Sequence, residues 1–144
     1  QLSGEKAVTF KNSAKAQTEI TNFGPGVYEF ELTVTDDQGE SSQATVALTF
    51  NAHPTVAVGE DQVITLPKNR TMVEGVASDP DGTIVRYFWY QVSGPSKAGI
   101  SDYSSPKTEI KSLKEGVYKF RLAAYDNHGA ANTDSIQITV NPEE

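Results

Sequence analysis

Cysteine is absent from the 144 residues, so no disulfide framework, thiolate zinc site or cysteine nucleophile is available. Basic charge is scarce too. Twelve Lys and Arg stand against 19 Asp and Glu, a formal charge of −7. That balance opposes binding to nucleic-acid phosphates and to anionic lipid surfaces. No apolar run approaches the roughly 20 residues of a spanning helix, so no membrane insertion is expected. No secretory leader is visible, and the opening at Gln1 reads as a processed or excised fragment. Catalytic signatures are missing as well. GxSxG, HExxH and phosphate-loop patterns do not occur, and His53 and His128 fall in a linker and a turn. A glycosidase carboxylate pair needs a cleft about 5–10 Å across, which a filled sandwich of this size does not offer. The expectation is a non-enzyme.

What is present is a repeat. Displaced by about 90 positions, GVYEFELTVTDDQG (Gly26 to Gly39) falls on GVYKFRLAAYDNHG (Gly116 to Gly129) without a gap. Thr18-Glu19-Ile20 falls on Thr108-Glu109-Ile110, Gln1, Ser3 and Gly4 on Gln91, Ser93 and Gly94, and Asn51 on Asn141. Residues 1–51 therefore read as the C-terminal half of a first repeat and residues 52–144 as a complete domain. The proline-stiffened link Asn51-Ala52-His53-Pro54 should restrict their freedom.

Within each repeat the pattern is that of strands. Tyr28, Phe30, Leu32 and Val34 alternate with Glu29, Glu31 and Thr33, and Ala44, Val46, Leu48 and Phe50 alternate with Thr45, Ala47 and Thr49. This period of two marks half-buried strands. Weaker strands are expected at Ala7 to Lys11 and near Ile20. The complete repeat adds strands at Thr55 to Gly59, Gln62 to Leu66, Thr71 to Ala77 and Thr83 to Val92. It then repeats the later ones at Thr108 to Lys111, Val117 to Tyr125 and Ser135 to Val140. About seven short strands separated by turn residues predict an all-β, immunoglobulin-like sandwich. Val85, Tyr87 and Trp89 are expected to face inward, against a face carrying Tyr118, Phe120 and Leu122. Tyr118 stands where a tyrosine corner would place its hydroxyl on an upstream backbone group.

Several motifs together carry a resemblance: GEDQVITLP, ASDPDGTIVRYFWYQVSGP, GVYKFRLAAYD, NHGA and IQITVN. The run from Pro54 to Asn141 resembles a PKD domain, in the PKD/REJ-like form of bacterial surface and secreted proteins. The first repeat shares only the rear motifs. Ala124-Tyr125 replaces the usual valine-threonine pair, and WYQVSG replaces the WDFGDG run of other members. The resemblance implies an extracellular, secreted or cell-surface setting.

Two candidate sites follow. Asp79 and Asp81 lie in one tight turn, and Asp126 closes a strand that should reach the same end. Calcium favours hard oxygen ligands drawn from several segments. The resemblance implies a Ca2+ site on Asp79, Asp81 and Asp126, with Asn51 or the carbonyls near Ala52 at the domain entrance. The plain alternative is that the aspartates hold turns. The second candidate is the outer face of the same sheet, where Arg86, Phe88, Tyr90, Lys119 and Arg121 should stand as aromatics and cations. The repeat-equivalent positions of the later strand carry Glu29, Glu31, Thr33 and Thr35 instead. Opposite charges on the two faces suggest attraction between unlike repeats. Against this stands a cross-strand cluster with no partner. The sequon Asn69-Arg70-Thr71 is read as a chance triplet in the bacterial setting that the motif style suggests.

The first repeat lacks the front strands that would cover Ile20, Tyr28, Phe30, Leu32, Val46, Leu48 and Phe50. On the order of 10 kcal/mol of burial is thus left without a partner. Residues of a longer array or a homodimer are expected to cover them. The leading reading is a structural and adhesive repeat that contacts proteins or neighbouring repeats. The alternative is an accessory module of a secreted bacterial hydrolase, binding polysaccharide or protein.

Overall fold

A computed structural model describes residues 1–144. The chain forms two compact units, Gln1–Ala52 and His53–Glu144, and each is described by itself. The first has four strands: β1 (Thr9–Phe10), β2 (Ile20–Thr21), β3 (Gly26–Thr35) and β4 (Ser41–Phe50). The second has eight: β5 (Thr55–Val58), β6 (Gln62–Thr65), β7 (Thr71–Ser78), β8 (Ile84–Ser93), β9 (Gly99–Ile100), β10 (Lys107–Lys111), β11 (Gly116–Asp126) and β12 (Ala131–Asn141). No helix occurs. Short β9 escapes the periodicity because two residues carry no alternation.

The second unit is built from two four-stranded sheets, ordered β5-β7-β10-β9 and β6-β12-β11-β8. Every pairing is antiparallel except β6 with β12. The alternation of β11 explains its place at the centre. Tyr118, Phe120, Leu122 and Ala124 point inward and are fully buried. They meet Trp89 and β12 residues Ile136, Ile138 and Val140, with Val73, Ile110 and Leu113 contributing to the same core. At Gly75 the opposing sheet comes so close that a Cβ would overlap the Leu122 side chain and press on Val58.

Trp89 is 1% exposed. Its indole Nε1–H donates to the Pro106 carbonyl at 3.3 Å, an oxygen that also accepts from Gly75 N–H at 2.9 Å. A buried indole N–H needs such an acceptor. Trp89 N–H also donates to the Tyr103 carbonyl at 2.7 Å, so the loop before β10 straps the outer edge of β8.

One inward assignment is overturned. Val85 shares the parity of Tyr87 and Trp89, yet it is 62% exposed. The β8–β11 ladder passes from Tyr125↔Arg86 to Asp126↔Ile84. Val85 is the residue skipped, and such a bulge rotates its side chain off the pleat.

The first unit repeats several of the hydrogen bonds at the rear of the second. Gly24 N–H donates to Tyr28 Oη at 3.0 Å, as Lys114 N–H donates to Tyr118 Oη at 3.0 Å. The expected tyrosine corner is present, with the backbone as donor. Gln1 accepts from Val8 N–H and Gln91 from Ala98 N–H. Asp36 Oδ1 accepts from the amides of Gln38 and Glu40, and Asp126 Oδ1 from those of His128 and Ala130. The two hairpin turns end on Gly39 and Gly129 at φ 87° and 91°, the left-handed conformation such loops require.

Tyr28 and Phe30 are covered despite the missing front strands, contrary to the sequence-based expectation. Phe23 stacks on Phe50 at 4.2 Å and meets Tyr28 edge-on at 5.2 Å, while Phe10 meets Phe30 edge-on at 5.8 Å. This local aromatic plug ends midway along the hairpin. Beyond it Leu32, Val34 and Val46 are 46%, 55% and 55% exposed, whereas their repeat equivalents Leu122, Ala124 and Ile136 are 0%, 0% and 1% exposed.

Candidate interaction face and acidic turn

The outer face of β8 and β11 follows from the ladder. Arg86 pairs with Tyr125, Phe88 with Ala123 and Tyr90 with Arg121. Side chains on these positions emerge together, away from Trp89. The Arg86 guanidinium lies 5.6 Å from the Phe88 ring centre and 5.1 Å from that of Tyr125. Phe88 in turn contacts Tyr90 at 5.9 Å and Tyr103 edge-on at 5.5 Å. Ala123 faces outward but is buried beneath this cluster. Phe88 and Tyr90 are half-buried rather than fully exposed, because Arg86 and Tyr103 lean on Phe88 and Phe88 leans on Tyr90.

The face continues into an open groove of about 1140 Å³ along β8, lined in part by Phe88, Tyr90, Ser96, Lys97 and Tyr103. Ser96 is held from behind by a 2.8 Å hydrogen bond with Tyr118 Oη. Lys119 is exposed. Arg121 is half-buried and donates from Nε to Ser135 Oγ at 3.0 Å. Arg86, Phe88, Tyr90 and Arg121 are thus brought together, and Lys119 stands further along β11, opposite Ser93. Tyr103, Ser96 and Lys97 escaped sequence reasoning because they lie in loops without alternation. The ladder register alone identifies Tyr125 as the partner of Arg86.

The acidic turn lies at the end of β7. Asp79 and Asp81 share it, with Asp81 N–H donating to Asp79 Oδ1 at 3.3 Å. Asp79 Oδ2 is buried and receives no hydrogen bond. Desolvation raises the Asp79 pKa, and the negative charges of Asp81 and Asp126 add to it. Asp79 Oδ2 and Asn127 Oδ1 both crowd Gly82, where a Cβ would overlap them. Asn127 Oδ1 accepts from Thr83 N–H at 3.0 Å. Asp126 is 2% exposed and its Oδ1 is engaged in the β11–β12 hairpin. No three acidic or histidine side chains converge as a metal-holding group. Asn51 belongs to the first unit. The orphaned Asp79 oxygen fits a cation, and Asn127, adjacent to Asp126 in the chain, is a ligand type that spacing alone did not single out.

Two facing sheets around Trp89, closed by parallel β6 and β12 and by a tied tyrosine corner, define an immunoglobulin-like sandwich of the PKD type. The family model "K319L-like, PKD domain" matches residues 1–50 and 58–140. The chain belongs to that family. It is 35% identical over 147 residues to the human dyslexia-associated protein KIAA0319, covering 97% of this chain and 14% of that protein. It is 33% identical over 142 residues to the mouse KIAA0319-like protein, covering 96% and 14%. The chain therefore spans only a small part of these relatives. Among solved structures, the PKD domain from the KIAA 1837 protein superposes with a TM-score of 0.56 at 26% identity, covering 67% of this chain and 94% of that one. The PKD domain from human KIAA0319 gives 0.55 at 23%, covering 64% and 84%, a likeness of fold. The curated relatives named here are mammalian. They do not support the bacterial setting or the hydrolase-module alternative.

Proposed function

We propose that this chain is a non-catalytic, extracellular adhesion segment whose second unit binds the first unit of another copy. The observation that carries this reading is the contrast between equivalent faces. Arg86, Phe88, Tyr90 and Arg121 lie around buried Ala123 in one unit, with Lys119 further along β11. In the other, Glu29, Glu31 and Thr33 occupy the positions equivalent to Lys119, Arg121 and Ala123. Aromatic and arginine side chains supply contact area, and opposite charges supply steering. Beads coated with the whole chain should cluster at low ionic strength and disperse as salt screens the charges. A Phe88→Ala/Tyr90→Ala variant should weaken association on the order of tenfold or more. Clustering that is indifferent to this variant and to Arg121→Glu would reject the proposal. Retention on insoluble polysaccharide, lost in the double variant, would favour a sugar ligand instead.

The uncovered stretch of β3 and β4 supports a second element of the proposal. Exposed Leu32, Val34 and Val46 are suited to strands from additional residues of a longer array, placed as β5 to β8 are placed in the second unit. Calcium at the acidic turn is a separate proposal, supported by Asp79 Oδ2. Asp79 and Asp81 would hold the ion, with Asn127 beside them, and the ion would neutralise a carboxylate pair. Millimolar calcium should raise the melting temperature relative to EGTA. An unchanged melt would remove the ion from the account.

A further inference from the structure

We infer that Asn69 is an acceptor for an N-linked oligosaccharide. The triplet Asn69-Arg70-Thr71 is the one Asn-X-Ser/Thr sequence in the chain with X other than proline. Chain context decides whether such a triplet is usable, since a glycan is bulky and must project into solvent. Asn69 and Arg70 are exposed, in the connection between β6 and β7. The Asn69 carbonyl accepts from Leu113 N–H at 3.0 Å. Its backbone is therefore anchored while its carboxamide makes no hydrogen bond that a glycan would break. Thr71 opens β7, and its hydroxyl donates to Gln62 Oε1 at 2.5 Å. The native fold thus uses the threonine hydroxyl and leaves the asparagine nitrogen available.

The position also suits the proposed adhesion face. Asn69 precedes β7, a strand of the β5-β7-β10-β9 sheet, whereas the Arg86–Phe88–Tyr90 cluster is on the other sheet. The acidic turn follows the far end of β7. A glycan at Asn69 therefore leaves both the outer face and the turn uncovered. Asn12 contrasts with it: no Ser or Thr stands two residues on, and its Oδ1 caps a turn at Ala14 N–H.

The transfer requires a lipid-linked oligosaccharide pyrophosphate as donor. Asn69 Nδ2 forms a bond to the sugar C1, and the bond from C1 to the phosphate oxygen breaks. The lipid pyrophosphate leaves with the electron pair, and Nδ2 loses one proton to a base. The inference rests on the extracellular reading, because this donor is met in the secretory pathway.

The test is expression of the whole chain behind a secretory leader in cultured animal cells, with N-glycosidase treatment of lysate and medium. The expected result is a secreted protein that shifts in mobility on treatment. Asn69→Gln should abolish the shift, and Thr71→Ser should retain it, since serine keeps the hydroxyl. A secreted chain insensitive to the glycosidase, or a shift that persists in Asn69→Gln, overturns the assignment while leaving the extracellular reading intact. A chain retained in cells but glycosidase-sensitive supports the acceptor and counts against the extracellular reading.

Discussion

At the scale of single residues, the most exacting contacts are those where two layers leave no room. Gly75 is the clearest, since the Leu122 side chain occupies the space of its missing Cβ. Gly75→Ala should cost about 1–3 kcal/mol through overpacking, read as a lower urea midpoint of the second unit. Asp79 makes an opposite prediction. Its carboxyl holds its proton above the ordinary range, first because of desolvation and then because of Asp81. A raised folded-state pKa contributes stability below the unfolded value that is lost as pH rises through the folded one. Asp79→Asn in EGTA should therefore raise the melting temperature at neutral pH. The gain should shrink as pH falls and vanish below about pH 3, where the native carboxyl is protonated in both states. In calcium the same variant should lose any ion-induced shift.

At the scale of elements, the unit of construction is a strand with the loop that ties its end. Tyr118 links β11 to the loop before it through Lys114 N–H. Tyr118→Phe leaves that amide without its acceptor and should cost about 1–3 kcal/mol. Tyr28→Phe should do the same to the first unit through Gly24. The β11–β12 hairpin depends on Asp126 Oδ1, which accepts two turn amides. Asp126→Ala should cost about 2–3 kcal/mol, and Asp126→Asn markedly less, because its Oδ1 is kept. Denaturant titration distinguishes the two. The same two bonds recur at Asp36 in the first unit. That recurrence is a physical reason to assign Asp126 a turn-forming role independent of any ion.

At the scale of the whole molecule, the two units differ in what covers an equivalent face. Ile136 is buried and Val46, its repeat equivalent, is 55% exposed. Ile136→Thr should cost about 2–4 kcal/mol, since it removes core volume and buries a hydroxyl. Val46→Thr should stay within about 0.5 kcal/mol. Extending the chain with residues that supply the front strands should turn Val46→Thr into a costly change, measurable as a new loss in melting temperature. If the extended chain remains indifferent, the face is covered by something other than the array.

Much of this was legible in the residues alone. Alternation placed Tyr118, Phe120, Leu122 and Trp89 inside, because a strand's period of two is a property of backbone geometry. The displacement of about 90 positions exposed the matching strands and turns of the two units, because equivalent turns and corners demand the same residue types. Tertiary structure alone decided the rest. Val85 left the core because the ladder skipped it, Tyr28 found cover from Phe23 and Phe50, Phe30 from Phe10, and Arg86 settled between Phe88 and Tyr125. Each of these depends on which segments meet across a sheet or around a loop, and local periodicity carries no record of such meetings.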